Sequence, residues 1–337
     1  MMIGGKNRWR RLILFALLSI VLIASAGALY EFLASRADRN RFPRPLRLVD
    51  AGALRLNLHC TGSGKPTVVL EAGLADSLDQ WRLVQPQVAR FARVCSYDRA
   101  GYGYSDPGPM PRTSVRIASE LHAALQSAGE APPFVMAGSS FGGYCVRVFN
   151  GRYPSEVAAI LLVDATQEDQ YRLLPPAWSA MGAATRVRAR RQAFWAPLGM
   201  GLGITRLQLR FRGQQAPPAI LQAKYIQART SELEYIETSA EQARAADHMN
   251  GKALVVLTAG QPIDAALRAV LSADDQLAFE RTWVNDLQLR LARLSERGKR
   301  IIVPDSGHDI PGERPDAVVA AIRELCSGPS SAATNDR

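Results

Sequence analysis

The stretch Pro133-Phe134-Val135-Met136-Ala137-Gly138-Ser139-Ser140-Phe141-Gly142 decides how the chain is read. Its first five residues are a short apolar run of the kind that forms a fully buried strand. Gly138 to Gly142 then match G-x-S-x-G, and Phe141 to Tyr153 read as a helix. A serine on a strand-to-helix turn needs glycine neighbours because the turn is too sharp for bulky ones. Its hydroxyl then stands exposed at the carboxyl end of a sheet. The helix start also offers free N–H groups to a developing negative charge. The pentapeptide alone is a weak signal, equally at home in a Gly/Ser-rich turn without chemistry. Its place between strand and helix gives it weight.

Similar apolar runs lie on either side. Arg47–Asp50 and Leu54–His59 alternate as half-exposed strands, while Thr67–Glu71, Ala92–Tyr97, Ala158–Val163, Lys252–Leu257 and Arg300–Val303 read as buried ones. Helical patterns at Ser114–Ala128 and Arg314–Leu325 separate or follow them. Strands separated by helices predict a mostly parallel sheet with helices on both faces. Between Thr166 and Asn250 the strand pattern stops. This helical insertion carries Trp178, Phe194 and Trp195.

A serine hydroxyl needs a base. The chain has four histidines, and only His308, in Ser306-Gly307-His308 after the last strand, falls at the same sheet edge as Ser140. His59 lies in a strand, His122 in a helix and His248 near the end of the insertion, positions that suit structural or exposed roles.

With these residues in hand, the chain resembles the α/β-hydrolase superfamily, in its serine-nucleophile esterase- and lipase-like branch. The matching residues are Gly138–Gly142, Glu71-Ala72-Gly73 with Trp81 downstream, Tyr97-Asp98-Arg99-Ala100-Gly101-Tyr102-Gly103-Tyr104-Ser105, and Ser306-Gly307-His308. They run in the family's order and cover about residues 47–326. The resemblance implies an eight-stranded, mostly parallel sheet with a helical cap after strand six. The expected organisation is an anchor or signal peptide at 1–33, a linker at 34–46, a core at 47–165 and 251–326, a cap at 166–250 and a disordered tail at 327–337. It also implies an oxyanion hole from the backbone N–H groups of Phe141 and Leu74. Many members carry His-Gly where this chain has Ala72-Gly73, so hydrogen bonding around that loop is expected to differ.

The resemblance leaves two positions for the acid that orients the histidine. Asp264 follows Gly260 where the family most often places it, with one residue more than the usual spacing. Asp164, in Leu162-Val163-Asp164-Ala165, stands where members similar to haloalkane dehalogenases place theirs, and is the preferred candidate. The expected activity is hydrolysis of a carboxylic ester of a small or lipid-like substrate, with Ser140 as nucleophile, His308 as base and no metal or organic cofactor. A carbon–carbon hydrolase or haloperoxidase is the enzymatic alternative, and a membrane-tethered binding protein the non-enzymatic one. The aromatic and Leu content of the insertion suggests an apolar substrate pocket.

The composition fits this reading. The 337 residues are 47% apolar and 21% charged, which excludes a disordered chain, a coiled coil or a small disulfide scaffold. A mean hydropathy of -0.08 excludes a polytopic membrane protein. The net charge of +10 is local: residues 1–42 hold seven basic and two acidic residues, and Arg172 to Arg229 hold ten basic and none acidic. No zinc-finger spacing, RNP-like box or helix-turn-helix pattern accompanies it, so nucleic acid is not an expected partner. Attraction to anionic lipid or a solvated face is the simpler reading.

Leu12 to Tyr30 is a 19-residue stretch without a charge. As a helix it spans about 28 Å, close to the hydrocarbon thickness of a bilayer. Lys6, Arg8, Arg10 and Arg11 precede it and favour a cytoplasmic N-terminus. The expectation is a membrane anchor through residues 12–30 with the catalytic part on the extracytoplasmic side. Ala24-Ser25-Ala26 and Ala26-Gly27-Ala28 resemble cleavage sites, so a cleaved, secreted or periplasmic form is the alternative. Export permits disulfides, and Cys60–Cys95 is the expected pair.

Overall fold

Alternate residues of a strand face opposite sides, so a sheet buried on both faces needs apolar side chains at every position. The computed structural model, which describes residues 4–41, 47–213, 220–246, 249 and 251–327, has this arrangement. Val69, Met136, Ile160 and Val256 point into one core, with Ile117, Leu121, Val146 and Phe149 of the covering helices Ser114–Ala128 and Gly142–Arg152. Val68, Val135, Leu161 and Val255 point into the other, against Val318 and Ile322 of the helix Pro315–Ser327.

The strands are β1 (Arg47–Asp50), β2 (Arg55–Thr61), β3 (Thr67–Glu71), β4 (Val94–Tyr97), β5 (Phe134–Ser139), β6 (Val157–Val163), β7 (Ala253–Ala259) and β8 (Gly298–Val303). They form one sheet in the order β1-β2-β4-β3-β5-β6-β7-β8. Only the β1–β2 and β2–β4 pairs are antiparallel. This is the α/β-hydrolase fold. The carboxyl ends of β3, β5, β6, β7 and β8 therefore share one edge, where the loops carrying chemistry emerge. Cys60 of β2 and Cys95 of β4 are register partners and form a disulfide.

The chain divides into two compact units. One comprises Leu46–Arg188 and Ala228–Arg337 and contains the sheet. The other comprises Met1–Pro45 and Ala189–Gln227. In the second unit the helix Gly4–Arg41 runs well past residue 33, where a linker is expected from sequence. Ala34, Ala37 and their neighbours are good helix formers. Glu31 and Asp38 are both held by Arg206, at 2.8 Å and 2.6 Å, which fixes this last part of the helix. Residues 42–46, His248 and the tail 328–337 lie outside the described residues.

Candidate active site

Ser140 sits between β5 and the helix Gly142–Arg152 with φ of 50°, a left-handed conformation that a non-glycine residue adopts only under constraint. The constraint is visible. Its N–H donates to the Val163 carbonyl at 3.1 Å, and its carbonyl accepts from the N–H groups of Gly143 and Thr166 at 2.9 Å and 3.1 Å. Both flanking glycines are sterically required. A Cβ on Gly138 would lie 2.5 Å from the Gly142 carbonyl oxygen, and one on Gly142 would lie 2.6 Å from that of Glu71.

Asp164 follows β6 directly, is fully buried and also has positive φ, 40°. Its Oδ1 accepts from the Ala259 N–H at the end of β7 and from Trp283 Nε1, each at 3.0 Å. Its Oδ2 lies 2.6 Å from Nδ1 of His308, in the loop after β8, and His308 Nε2 lies 2.9 Å from Ser140 Oγ. Asp264 does something else: it N-caps the helix Ala265–Val270, its Oδ1 accepting from the Leu267 N–H at 2.8 Å. The geometry thus brings Ser140, His308 and Asp164 into one hydrogen-bonded line and leaves Asp264 outside it.

Burial opposes a charge on His308. The hydrogen bond and the negative charge of Asp164 outweigh it, with Asp309 and Asp76 adding to them, so the imidazole pKa lies above its ordinary value. His59 and His122 belong elsewhere. Burial lowers the pKa of His59, and the carbonyl of that residue accepts from Gln85. His122 stacks on Tyr153 at 3.7 Å and bonds Glu156.

A cleft of about 380 Å³ opens on Ser140 and His308, lined by Leu74, Gln80, Arg82 and three acids, Asp76, Asp79 and Asp309. Among the described residues none of those lining it comes from 166–250, and the lining is more polar than the composition of the insertion suggests. The loops after β3 and β8 build this wall, and they carry the acids.

The loop after β3 is fastened from below. Arg99, almost wholly buried, donates to the carbonyls of Ala72 and Gly73, each at 2.7 Å. It pairs with Glu71 at 2.9 Å and with Glu232 of the helix Ala223–Glu234 at 2.9 Å. Tyr102 donates to Glu232 at 2.6 Å, and Tyr97 donates to Glu71. Burial pushes the Glu71 carboxyl above the usual range, against the opposing pull of Arg99 and Tyr97. From above, Gln80 Oε1 accepts the Gly73 N–H at 2.9 Å. Asp98 closes its own turn through Asn57 and the Tyr104 N–H, and accepts from the Leu78 N–H.

Sequence reasoning does not find Trp283, Glu232 or Gln80. Trp283 lies in a π-helical stretch, Arg281–Leu287, where helical periodicity is broken. Its ring stacks on Phe279, which in turn packs against Trp178, and its edge meets His308. Glu232 reads as one of two acids on a polar helix. Only its complete burial distinguishes it.

Comparison with known proteins agrees with the architecture. Residues 66–202 match the family model described as the alpha/beta hydrolase fold. The 2-hydroxy-6-oxo-2,4-heptadienoate hydrolase of Pseudomonas putida is 32% identical over 122 residues, 35% of this chain and 44% of that protein. Matches to three other curated relatives span 35% to 53% of those proteins' length. A thermophilic esterase from Thermogutta terrifontis superimposes with a TM-score of 0.58 at 19% identity, covering 83% of this chain and 97% of the esterase. An epoxide hydrolase superimposes at 0.56 with 18% identity, covering 84% and 98%.

Proposed function

We propose that this α/β hydrolase is a serine hydrolase that cleaves carboxylic esters of a small or lipid-like substrate through an acyl-enzyme on Ser140. The observation that carries the reading is the unbroken line Ser140 Oγ, His308 Nε2, His308 Nδ1, Asp164 Oδ2, with separations of 2.9 Å and 2.6 Å. His308 takes the Ser140 proton as Oγ attacks the acyl carbon. Asp164 holds the imidazole with its proton on Nδ1 and stabilises the charged form. The N–H groups of Leu74, on a loop that Arg99 and Gln80 hold in place, and of Phe141, at the start of the helix after β5, receive the oxyanion. The C–O bond breaks as His308 passes its proton to the departing alcohol. Water then adds to the acyl carbon, giving a proton to His308, and the carboxylic acid leaves as Ser140 recovers its proton.

A serine at the elbow counts against epoxide hydrolysis, which in this fold uses an aspartate. An ester is the least demanding acyl substrate. The Pseudomonas relative favours a second reading, carbon–carbon bond hydrolysis. A fluorophosphonate probe should label the wild type and not Ser140→Ala. p-Nitrophenyl esters of graded chain length should then be turned over, with 2-hydroxy-6-oxo-2,4-heptadienoate as the competing substrate. Absence of labelling would remove the serine-hydrolase reading in favour of a binding protein.

We also infer that the helix Gly4–Arg41 is retained as an anchor, with the sheet unit on the extracytoplasmic side. Its segment Arg8–Asp38 is long and apolar enough to cross a membrane, basic residues precede the span, and a Cys60–Cys95 disulfide suits an oxidising compartment. Full-length protein should stay with membranes through a carbonate wash. Release of a shortened chain would refute retention.

A further inference from the structure

The helical unit holds two kinds of apolar surface. Along the N-terminal helix, Leu12, Leu14, Phe15, Ile20 and Ile23 are all more than half exposed, on every side. From Ala24 onward one face is covered: Ala24, Gly27, Glu31, Ala34 and Asp38 are half-buried, at the three- and four-residue spacing of a helical stripe. What covers it is the segment Ala189–Phe211. A Cβ on Gly27 would lie 2.6 Å from the Leu202 carbonyl oxygen, so the two backbones touch there. Gly203, with φ of 68°, lets the chain turn beside Tyr30. Arg206 then clamps Glu31 and Asp38.

This contact fixes a register. Gly27 lies three residues, about 4.5 Å, inside the end of the uncharged stretch at Tyr30. Glu31 and Asp38 lie beyond that end. The turn around Leu202 is therefore held at the edge of the span, the level at which interfacial helices sit about 5–10 Å into the headgroup boundary. On either side of this turn the segment presents large exposed apolar side chains: Phe194 is 75% exposed, Trp195 60%, Leu198 54% and Phe211 87%. Positions 194, 195 and 198 share one side of the helix Pro176–Gly201, and Ile204 and Phe211 share one side of the helix Ile204–Phe211. Exposed arginines flank them at Arg190, Arg191, Arg210 and Arg212, in a stretch that has no acidic residue from Arg172 to Arg229.

We propose that Ala189–Phe211 is a second membrane element, an interfacial one, which immerses Phe194, Trp195, Leu198 and Phe211 among the lipids at the carboxyl end of the anchor while the neighbouring arginines meet anionic headgroups. Three features select a lipid surface: the apolar patch continues an already lipid-facing helix, its register places it at the bilayer edge, and its rim is of one charge. The proposal rests on the anchor reading above, and its test separates the two.

Full-length protein in a C326S background, with Cys145 left buried, would carry an environment-sensitive fluorophore on a single introduced cysteine, F194C, F211C, L18C or L277C. Each would be reconstituted into vesicles of phosphatidylcholine and phosphatidylglycerol containing either shallow or deep nitroxide lipids. The expected result is deep quenching at 18, severalfold stronger shallow than deep quenching at 194 and 211, and little of either at 277. Deep quenching at 18 with 194 and 211 behaving like 277 would overturn the interfacial element and leave the anchor standing. Loss of quenching at all four would overturn both. Shallow quenching at 194 and 211 that vanishes as protein is diluted in lipid would assign the patch to contact between copies of the chain, and would equally overturn the proposal.

Discussion

Replacing Asp164 by asparagine should invert the tautomer of His308 while leaving the fold nearly intact. Asp164 Oδ1 accepts two N–H groups, from Ala259 and Trp283. An amide at this position must therefore keep its carbonyl oxygen there, because turning it would set an NH2 against two donors. The NH2 group then faces His308 Nδ1, which can only accept. The imidazole proton moves to Nε2, where it donates to Ser140 Oγ instead of receiving its proton. In serine proteases this tautomer error costs about 10⁴ in kcat, which corresponds to about 5.5 kcal/mol of transition-state stabilisation. The same order is expected for Asp164→Asn on p-nitrophenyl esters. Stability should change far less, since both Oδ1 bonds survive. Asp264→Ala is the matched control: it removes a helix cap worth about 1 kcal/mol and should leave kcat unchanged. Steady-state kinetics with urea unfolding of each variant makes the comparison. An Asp164→Asn enzyme within tenfold of wild type, or an inactive but folded Asp264→Ala enzyme, would refute the assignment.

Four other outcomes are expected. Since Asp164 holds the His308 pKa up, and the base must be neutral, the acid limb of kcat/KM should fall above the ordinary histidine value of about 6.5 and move down in Asp164→Asn; an unmoved limb would place the titrating group elsewhere. By linkage the Asp164–His308 pair adds to stability below pH about 6.5, and this contribution should fade as pH rises through the folded-state pKa, as unfolding of Ser140→Ala with and without His308→Gln would register. Glu232→Gln turns an NH2 toward Arg99 in a dry site and should cost about 3 kcal/mol, with lower kcat; unchanged urea midpoint and turnover would dismiss the cluster. Cys60→Ser with Cys95→Ser opens a loop with sequence separation 35 and should cost about 3–4 kcal/mol, read as a lower unfolding midpoint under oxidising conditions.

The strands β3 to β7 were legible because they are buried on both faces and so stand out as apolar runs, each ended by a glycine or a polar turn, whereas β8, expected to be buried, is the last strand of the sheet and leaves Ile301 and Ile302 exposed. The turn that carries Ser140 was legible because its chemistry is local: glycines at 138 and 142 are required by backbone approach within 3 Å. The acid was not, since Asp164 and Asp264 both follow a strand at the correct edge. The choice rests on the Ala259 N–H and Trp283, which are 95 and 119 residues away. Arg99 could be seen as part of a turn, but its work depends on Glu232, 133 residues further on. The end of the N-terminal helix is hard to read for a related reason: Glu31 and Asp38 look like the polar start of a linker until Arg206 is brought against them.

In the loop after β3 the two carbonyls at 72 and 73 are satisfied by one guanidinium, and the Gly73 N–H by Gln80, so the loop is held from both sides just before the N–H of Leu74. A fork of five donors suits this task, since two of them can engage adjacent carbonyls while the rest bind carboxylates. The cost is a buried cation, offset here by Glu71 from the sheet and Glu232 from the segment between β6 and β7. The position of the Leu74 N–H therefore depends on how that segment is seated. Any motion that withdraws Glu232 would leave Arg99 with one carboxylate and loosen the loop beside Ser140. Loop geometry and the packing of the helix Ala223–Glu234 are thus coupled through the Arg99 side chain, which binds Glu232 and the carbonyls at 72 and 73 together.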